Sequence, residues 1–220
     1  MKRKAPAKKA KPVRAVSKSA AKPRARLRAA WVYRIKITLK DFRPRIWRRI
    51  EVEDCTLDKL HEHIQTAMGW TNSHLHHFKL SEQWYGDPQL MRENFEDFNY
   101  KNSLRTKLSD IVPESGRGLR LDYEYDFGDS WHHDILLEGI KPREPGVHYP
   151  RCVAGEGACP PEDCGGVWGF AEFIEIMANP RNKRRREMED WYRGPFDPED
   201  FDAVEATKRM QEGLPDWRKM

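Results

Sequence analysis

Between Tyr125 and His133 the chain reads YDFGDSWHH, which sets two carboxylates, a hydroxyl, an indole and two imidazoles around one short segment. A carboxylate beside an imidazole can ligate a cation or pass a proton. Asp126, Asp129 and His133 are therefore candidate catalytic residues, and a metal-dependent hydrolase is one reading of them. The same residues suit a hairpin turn, in which Asp126 and Asp129 accept backbone N–H bonds and Trp131 packs inward. Turn signals are common and catalytic motifs rare, so turn chemistry is the preferred reading. The triplet Asp-Phe-Gly is also found in the kinase magnesium motif, but none of that motif's partner segments is present.

A second group is Cys152, Cys159 and Cys164, three thiols within 13 positions. With a histidine such as His133 or His148 they would make a Cys3His zinc site. The spacing is not that of a CxxC knuckle, so the alternative is a rigid loop of inert thiols. In that case Glu162 and Asp163 would favour the N-terminus of the following helix. A third group, His74-Leu75-His76-His77, places His74 and His76 on one face of an extended segment, where two imidazoles suit a metal, and His77 on the other. His61 and His63 precede it without sharing a helix face, and solvent-exposed or core-edge histidine is the expectation for all of them. A fourth group, Arg181 to Arg186, could touch phosphate, yet Arg185 with Glu189 and Arg186 with Asp190 form i,i+4 pairs of a solvated helix face.

These residues need elements to position them. Trp31 to Lys40 alternates, with Tyr33, Ile35, Ile37 and Leu39 on one face, and Ile46 to Val52 alternates again after Asp41-Phe42-Arg43-Pro44. That predicts a hairpin. Thr56 is an N-cap for a helix with Leu57, Leu60, His61, Ile64, Ala67 and Met68 at helical spacing, ended by Gly69. Extended segments follow around Leu75, His77 and Trp84. Residues 87–107 are polar and read as a long loop or short helix, and Leu108 to Val112 as a short apolar segment. Leu119 to Phe127 and Trp131 to Ile140 predict a second hairpin. Residues 141–166 are rich in Gly and Pro and predict a long structured loop. Phe170, Phe173, Ile174 and Met177 mark a helix stopped at Asn179-Pro180. Asp197-Pro198-Glu199-Asp200 predicts the start of a last helix, which carries Phe201 and Val204. Strands that come in hairpins rather than strand–helix alternation favour an α+β domain: a mostly antiparallel sheet packed against several helices, with a long Pro/Gly/Cys loop.

Charge divides the chain in two. Of 40 Lys and Arg, 12 lie in residues 1–30, which hold no acid; the other 190 residues carry 28 bases against 35 acids, a net of −7. The organisation expected is a disordered basic arm over residues 1–30 and a single domain over 31–215. Such an arm, with Lys2, Arg3, Lys4, Lys8, Lys9, Lys11 and Arg14 as contacts, would bind DNA or RNA without sequence choice. No apolar run approaches the roughly 20 residues of a membrane span, and the N-terminus lacks the apolar centre of a secretory signal. A cytoplasmic protein with no membrane contact is expected. Four Cys are too few for a disulfide scaffold.

Several segments together resemble the plasmid pRiA4b ORF-3-like family: FRPRIWRRIEV, LDKLHEHIQTAMGWTNSHLHHF, YEYDFGDSWHHDI, CVAGEGACPPEDCGGVWGFAEF and FDPEDFD, in order from about Tyr33 to about Met210. The resemblance implies a single α+β domain of bacterial or archaeal type, carried in some cases by plasmids or insertion sequences and without an established activity. A serine-resolvase role would require a nucleophilic Ser in an Arg-rich constellation, and Ser73, Ser81, Ser103 and Ser130 lack one. The arm lies outside the resemblance. The reading drawn from the sequence is a non-enzymatic accessory protein associated with mobile DNA. In it the arm contacts nucleic acid, the thiols are candidates for a structural zinc, and the hydrolase is the alternative.

Overall fold

The structure is a computed structural model that describes residues 31–94 and 99–214. The basic arm and its named contacts, Lys2 to Arg14, lie outside the described residues. The elements are β1 (Trp31–Leu39), β2 (Trp47–Glu53), α1 (Leu57–Met68), β3 (His76–Leu80), β4 (Gln83–Gly86), α2 (Pro88–Asn94), β5 (Tyr100–Asn102), α3 (Leu108–Ile111), β6 (Arg120–Tyr125), β7 (Trp131–Pro142), β8 (Arg151–Glu156), α4 (Gly166–Ala178), α5 (Arg185–Tyr192) and α6 (Ala203–Glu212). Eight strands form one sheet in the order β5-β4-β3-β6-β7-β1-β2-β8. Every neighbouring pair is antiparallel except β4 and β5. The α+β class read from the sequence is the architecture found, and both expected hairpins, β1–β2 and β6–β7, are present. Among the described residues no helix is long and apolar enough to cross a membrane.

Period-two alternation decides what the sheet buries. Tyr33, Ile35, Ile37 and Leu39 of β1 meet Leu121, Tyr123 and Tyr125 of β6 and Ile135 and Leu137 of β7 in one core. Helix α1 lays Leu57, Leu60, Ile64 and Ala67 on it, all fully buried, and starts at Thr56, whose hydroxyl accepts the Lys59 N–H at 3.2 Å. Helix α4 adds Phe170, packed on Phe42 with ring centroids 4.9 Å apart.

On the opposite face the alternate residues are charged and pair across strands. Arg34 meets Glu51 at 2.7 Å and Arg49 meets Glu138 at 2.7 Å, while Lys40 pairs with Asp122 and Arg120 with Asp134. Glu51 is shut from solvent beneath Arg34, Lys141 and Arg151. Burial alone would raise its pKa, but hydrogen bonds from these three cations outweigh it and hold the carboxyl below its ordinary range.

Three expectations change. The stretch expected as a loop over 141–166 contains strand β8, paired with β2 through Ile50–Cys152 with a register shift between Arg49 and Ile50. Six residues that include Gly155, flanked by Pro and Gly, are too short to show a period. The Thr207 hydroxyl binds this strand from α6, accepting the Cys152 N–H at 2.9 Å and donating to the Cys152 carbonyl at 3.1 Å. The last helix begins at Ala203 and not at Asp197. Asp202 is the cap, accepting the N–H groups of Val204 and Glu205, while the Pro198 carbonyl is taken by the Ala158 N–H. Residues 87–107 hold the short helix that is one of the two expectations, α2, and in addition the short strand β5, which is not expected.

One buried cation has no carboxylate partner among the described residues. Arg48, 2 % exposed, donates Nε to the Ala67 carbonyl at 3.1 Å, Nη1 to Trp47 and Glu156, and Nη2 to Gly157 at 2.8 Å. Its guanidinium lies 4.2 Å from the Phe201 ring centroid. An unmade buried hydrogen bond costs about 1–3 kcal/mol. Arg48→Met leaves four carbonyls without their donor, so it should lower stability by about 3 kcal/mol or more in urea unfolding.

Acid should weaken the fold through its histidines. Burial holds the pKa of His61 and of His63 down at about 4 and that of His133 at about 3. An unfolded imidazole titrates near 6.5. Below about pH 6.5 the unfolded chain binds protons that the folded chain refuses, so stability is lost as pH falls through about 4. Urea midpoints should decline steadily from about pH 7 to about pH 4, and a flat profile would show that these histidines are not buried neutral.

Candidate functional site

Three loops meet at one end of the sheet: α1–β3, the β6–β7 turn, and the segment between β8 and α4. Backbone chemistry fixes each. In the β6–β7 turn Asp126 takes the left-handed conformation at φ 56°, and its N–H donates to the Leu75 carbonyl at 2.9 Å. Asp126 Oδ1 accepts the Gly128 N–H at 2.9 Å and the Asp129 N–H at 3.4 Å. Asp129 Oδ2 accepts the Gly165 N–H at 3.1 Å, which ties the turn to the start of α4. Gly166, at φ 67°, has to be glycine: a Cβ there would fall 2.5 Å from the Asp129 carbonyl oxygen. Trp131 is fully buried. Asp126, Asp129 and Trp131 thus occupy the places a turn requires.

A second tie runs through Glu162. Its carboxylate accepts the Tyr125 hydroxyl at 3.0 Å and the Thr71 N–H at 2.9 Å, and the Tyr125 oxygen accepts the Ser73 N–H at 3.0 Å. Burial, and then the adjacent Glu162 charge, push the Tyr125 pKa up, so it stays a neutral phenol and a donor. Trp70 Nε1 donates to the Pro160 carbonyl at 2.9 Å and closes the same seam.

The residues singled out in the sequence are dispersed by this geometry. His133 turns into the core, fully buried, with Nδ1 3.0 Å from the Trp131 carbonyl and its ring edge-on to Trp70. His132 faces the other side of the sheet near Glu124. The Asp126, Asp129 and His133 arrangement that a hydrolase would need is not assembled. Cys152, Cys159 and Cys164 are free thiols. Among the described residues they do not form, with His133, a set of ligand atoms within 4.8 Å of one another. Cys152 lies on β8, buried, with Sγ 3.5 Å from the Ala154 carbonyl oxygen. Burial raises the pKa of all three thiols, that of Cys164 to about 12. They are protonated and unreactive at neutral pH.

The structure brings together other residues. His74 Nε2 lies 2.9 Å from Asp163 Oδ1 and 3.5 Å from Asp126 Oδ2. These three side chains form a group whose ligand atoms all lie within 4.8 Å, an arrangement able to hold a cation. Beside it opens a cleft of about 400 Å3, lined among others by His61, Glu62, Asn72, His76 and Asp87. The His61 and His76 rings stack in it at 3.4 Å, nearly parallel. His61 Nε2 donates to Asn72 Oδ1 at 2.7 Å, and Nδ1 accepts the Tyr123 hydroxyl at 2.8 Å. Sequence reading marked His74 and Asp126 and noticed Asp163 only as a helix-end acid. Nothing along the chain links positions 74 and 163, because three separate loops make the meeting.

Tyr125→Phe removes the phenol that joins Glu162 to Ser73. It should cost about 1–3 kcal/mol in urea unfolding and speed amide exchange at Ser73.

Comparison with known proteins places the chain in a group. A family model described as plasmid pRiA4b ORF-3-like protein matches residues 31–205. The uncharacterized protein y4hQ of Sinorhizobium fredii is 39% identical over 179 residues, which span 81% of this chain and 87% of that one. The crystal structure of MM3350 from Methanosarcina mazei, titled a protein of unknown function, superposes with a TM-score of 0.71 at 36% identity. It covers 80% of this chain and 96% of that one.

Proposed function

The chain belongs to the plasmid pRiA4b ORF-3-like family, and from that premise we propose that it is a non-enzymatic accessory protein of mobile DNA that holds nucleic acid by charge. The observation that carries this reading is one basic pocket on an acidic body. A pocket of about 590 Å3 beside the β1–β2 turn is lined by Lys36, Lys40, Arg43, Arg45 and Arg120 against Asp41 and Asp134. Lys40 and Arg120 are paired with carboxylates. Arg43 and Arg45 are exposed and, among the described residues, form no ion pair. Next to the pocket Lys36 lies over the Trp47 ring at 4.6 Å.

Elsewhere the open face of the sheet is self-compensated, as the cross-strand pairs of Arg34, Arg49, Lys141 and Arg151 illustrate. Phosphates are attracted where cations lack partners, and each one neutralised releases counterions. The body alone, at a net of −7, repels a polyanion at long range. The 12 cations of residues 1–30 reverse that balance and enter the fold at Trp31. Trp31 is the far end of the strand that carries Lys36 and runs on to Lys40. The arm and the pocket can then engage one nucleic acid together, without reading its sequence.

Full-length protein should bind DNA duplexes of unrelated sequence equally, with an affinity that falls steeply as salt rises. Replacing Arg43 and Arg45 together by Ala should flatten the logarithmic salt slope by about 2. Replacing Lys2, Arg3, Lys4, Lys8, Lys9, Lys11 and Arg14 by Gln should weaken binding by about tenfold or more at low salt. Salt-independent binding, or affinity unaltered by both sets, would contradict the reading.

A further inference from the structure

We propose that His74, Asp126 and Asp163 form a binding site for one divalent transition-metal cation, held by one imidazole nitrogen and two carboxylate oxygens and open to water on its remaining positions. A cation about 2.1 Å from each ligand sets neighbouring ligand atoms roughly 3.0 Å apart at octahedral angles and roughly 3.4 Å apart at tetrahedral ones. The separations from His74 Nε2, 2.9 Å to Asp163 Oδ1 and 3.5 Å to Asp126 Oδ2, span that interval.

A second observation points the same way. His74 Nε2 is shielded from solvent and makes no hydrogen bond, although two carboxylate oxygens crowd it. Neither contact has the alignment of an N–H bond to oxygen. A cation among the three would engage the shielded nitrogen and both carboxylate oxygens at once.

The oxygens are also sorted in advance. Asp126 Oδ1 is engaged by the Gly128 N–H, which leaves Oδ2 directed at His74. The side chain of Asp126 is 8 % exposed and that of Asp163 is 70 % exposed. The cation would thus rest on a buried carboxylate, with an entrance on the Asp163 side. Glu162, one residue earlier, is held by Tyr125 and Thr71, so the loop that presents Asp163 is fixed before the ion arrives.

The donor set also selects the ion. Calcium needs six to eight oxygens, and soft ions prefer thiolates. One nitrogen and two carboxylates, completed by water, suit Mn2+, Fe2+, Co2+ or Zn2+. Neither the basic pocket nor nucleic acid enters this site, so it stands or falls apart from the function proposed above.

Full-length protein stripped with EDTA and dialysed should bind about one equivalent of Zn2+ by calorimetry and of Mn2+ by electron paramagnetic resonance. Ca2+ at similar concentration should compete poorly. Asp163→Asn should weaken binding by about tenfold or more, since even outer-shell partners of a metal are worth that much. The metal-free melting temperature should be unchanged, because the residue is exposed and Asn tolerates its left-handed backbone. His74→Ala should act likewise. Co2+-loaded protein should lack the near-ultraviolet thiolate-to-cobalt band. Failure to bind any of these ions at about millimolar concentration, a strong thiolate band, or full affinity in both variants would each overturn the proposal.

Discussion

Arg48 carries a full charge into the core and meets it with carbonyl dipoles and the face of the Phe201 ring. Besides that of the adjacent Trp47, those carbonyls come from the end of α1 and from the end of β8. Helix α1 has no basic residue in its last turn, so the guanidinium also supplies the positive charge that its C-terminus favours. The chain runs from these two points directly into the loops that carry His74 and Asp163. Rotating either terminus would strand a buried cation, an outcome far costlier than losing an ordinary contact. The spacing of the two loops is therefore set several residues before their functional side chains appear. Tyr125, Glu162 and the Asp129–Gly165 bond then align the third loop to the other two.

The molecule keeps three electrostatic regimes apart. On the open face of the sheet, charges cancel across strands, and even the buried Glu51 is saturated by three cations. At the three-loop end, carboxylates and imidazoles gather, and among the described residues no Lys or Arg is paired to His74, Asp126 or Asp163. At the β1–β2 turn, cations predominate. Anionic and cationic partners would accordingly meet different parts of one small domain, each with its own dependence on salt.

Local period carried much of the fold in the sequence. The alternation of Tyr33 to Leu39 and of Leu121 to Tyr125, the Thr56 cap and the Gly69 stop each depend on neighbours within a few residues and are found as read, whereas Phe127, expected on the same face, lies past the left-handed Asp126 and outside β6. Strand β8 was not legible, because its pairing with β2 is a long-range event and Gly155 interrupts its pattern. Local signals start the final helix at Asp197, whereas Asp202 caps it and the Pro198 carbonyl is taken by the Ala158 N–H, a long-range bond that no local signal carries. The site was legible as residue types and not as a constellation. His133 is one residue from His132 and two from Trp131, yet strand alternation sends it inward. Of the clustered thiols, Cys152 belongs to a strand, and among the described residues the three do not gather with a histidine into one ligand set.

The Thr207 hydroxyl on β8 bears on how the molecule behaves at high concentration. A sheet of eight strands ends in two rows of backbone donors and acceptors, and such edges recruit further strands into aggregates. Here the β8 edge gives the Cys152 N–H and carbonyl to a side chain from α6. The opposite edge, β5, is only three residues long. Part of one border is thus covered and the other is short, and both features disfavour extension of the ladder by another chain.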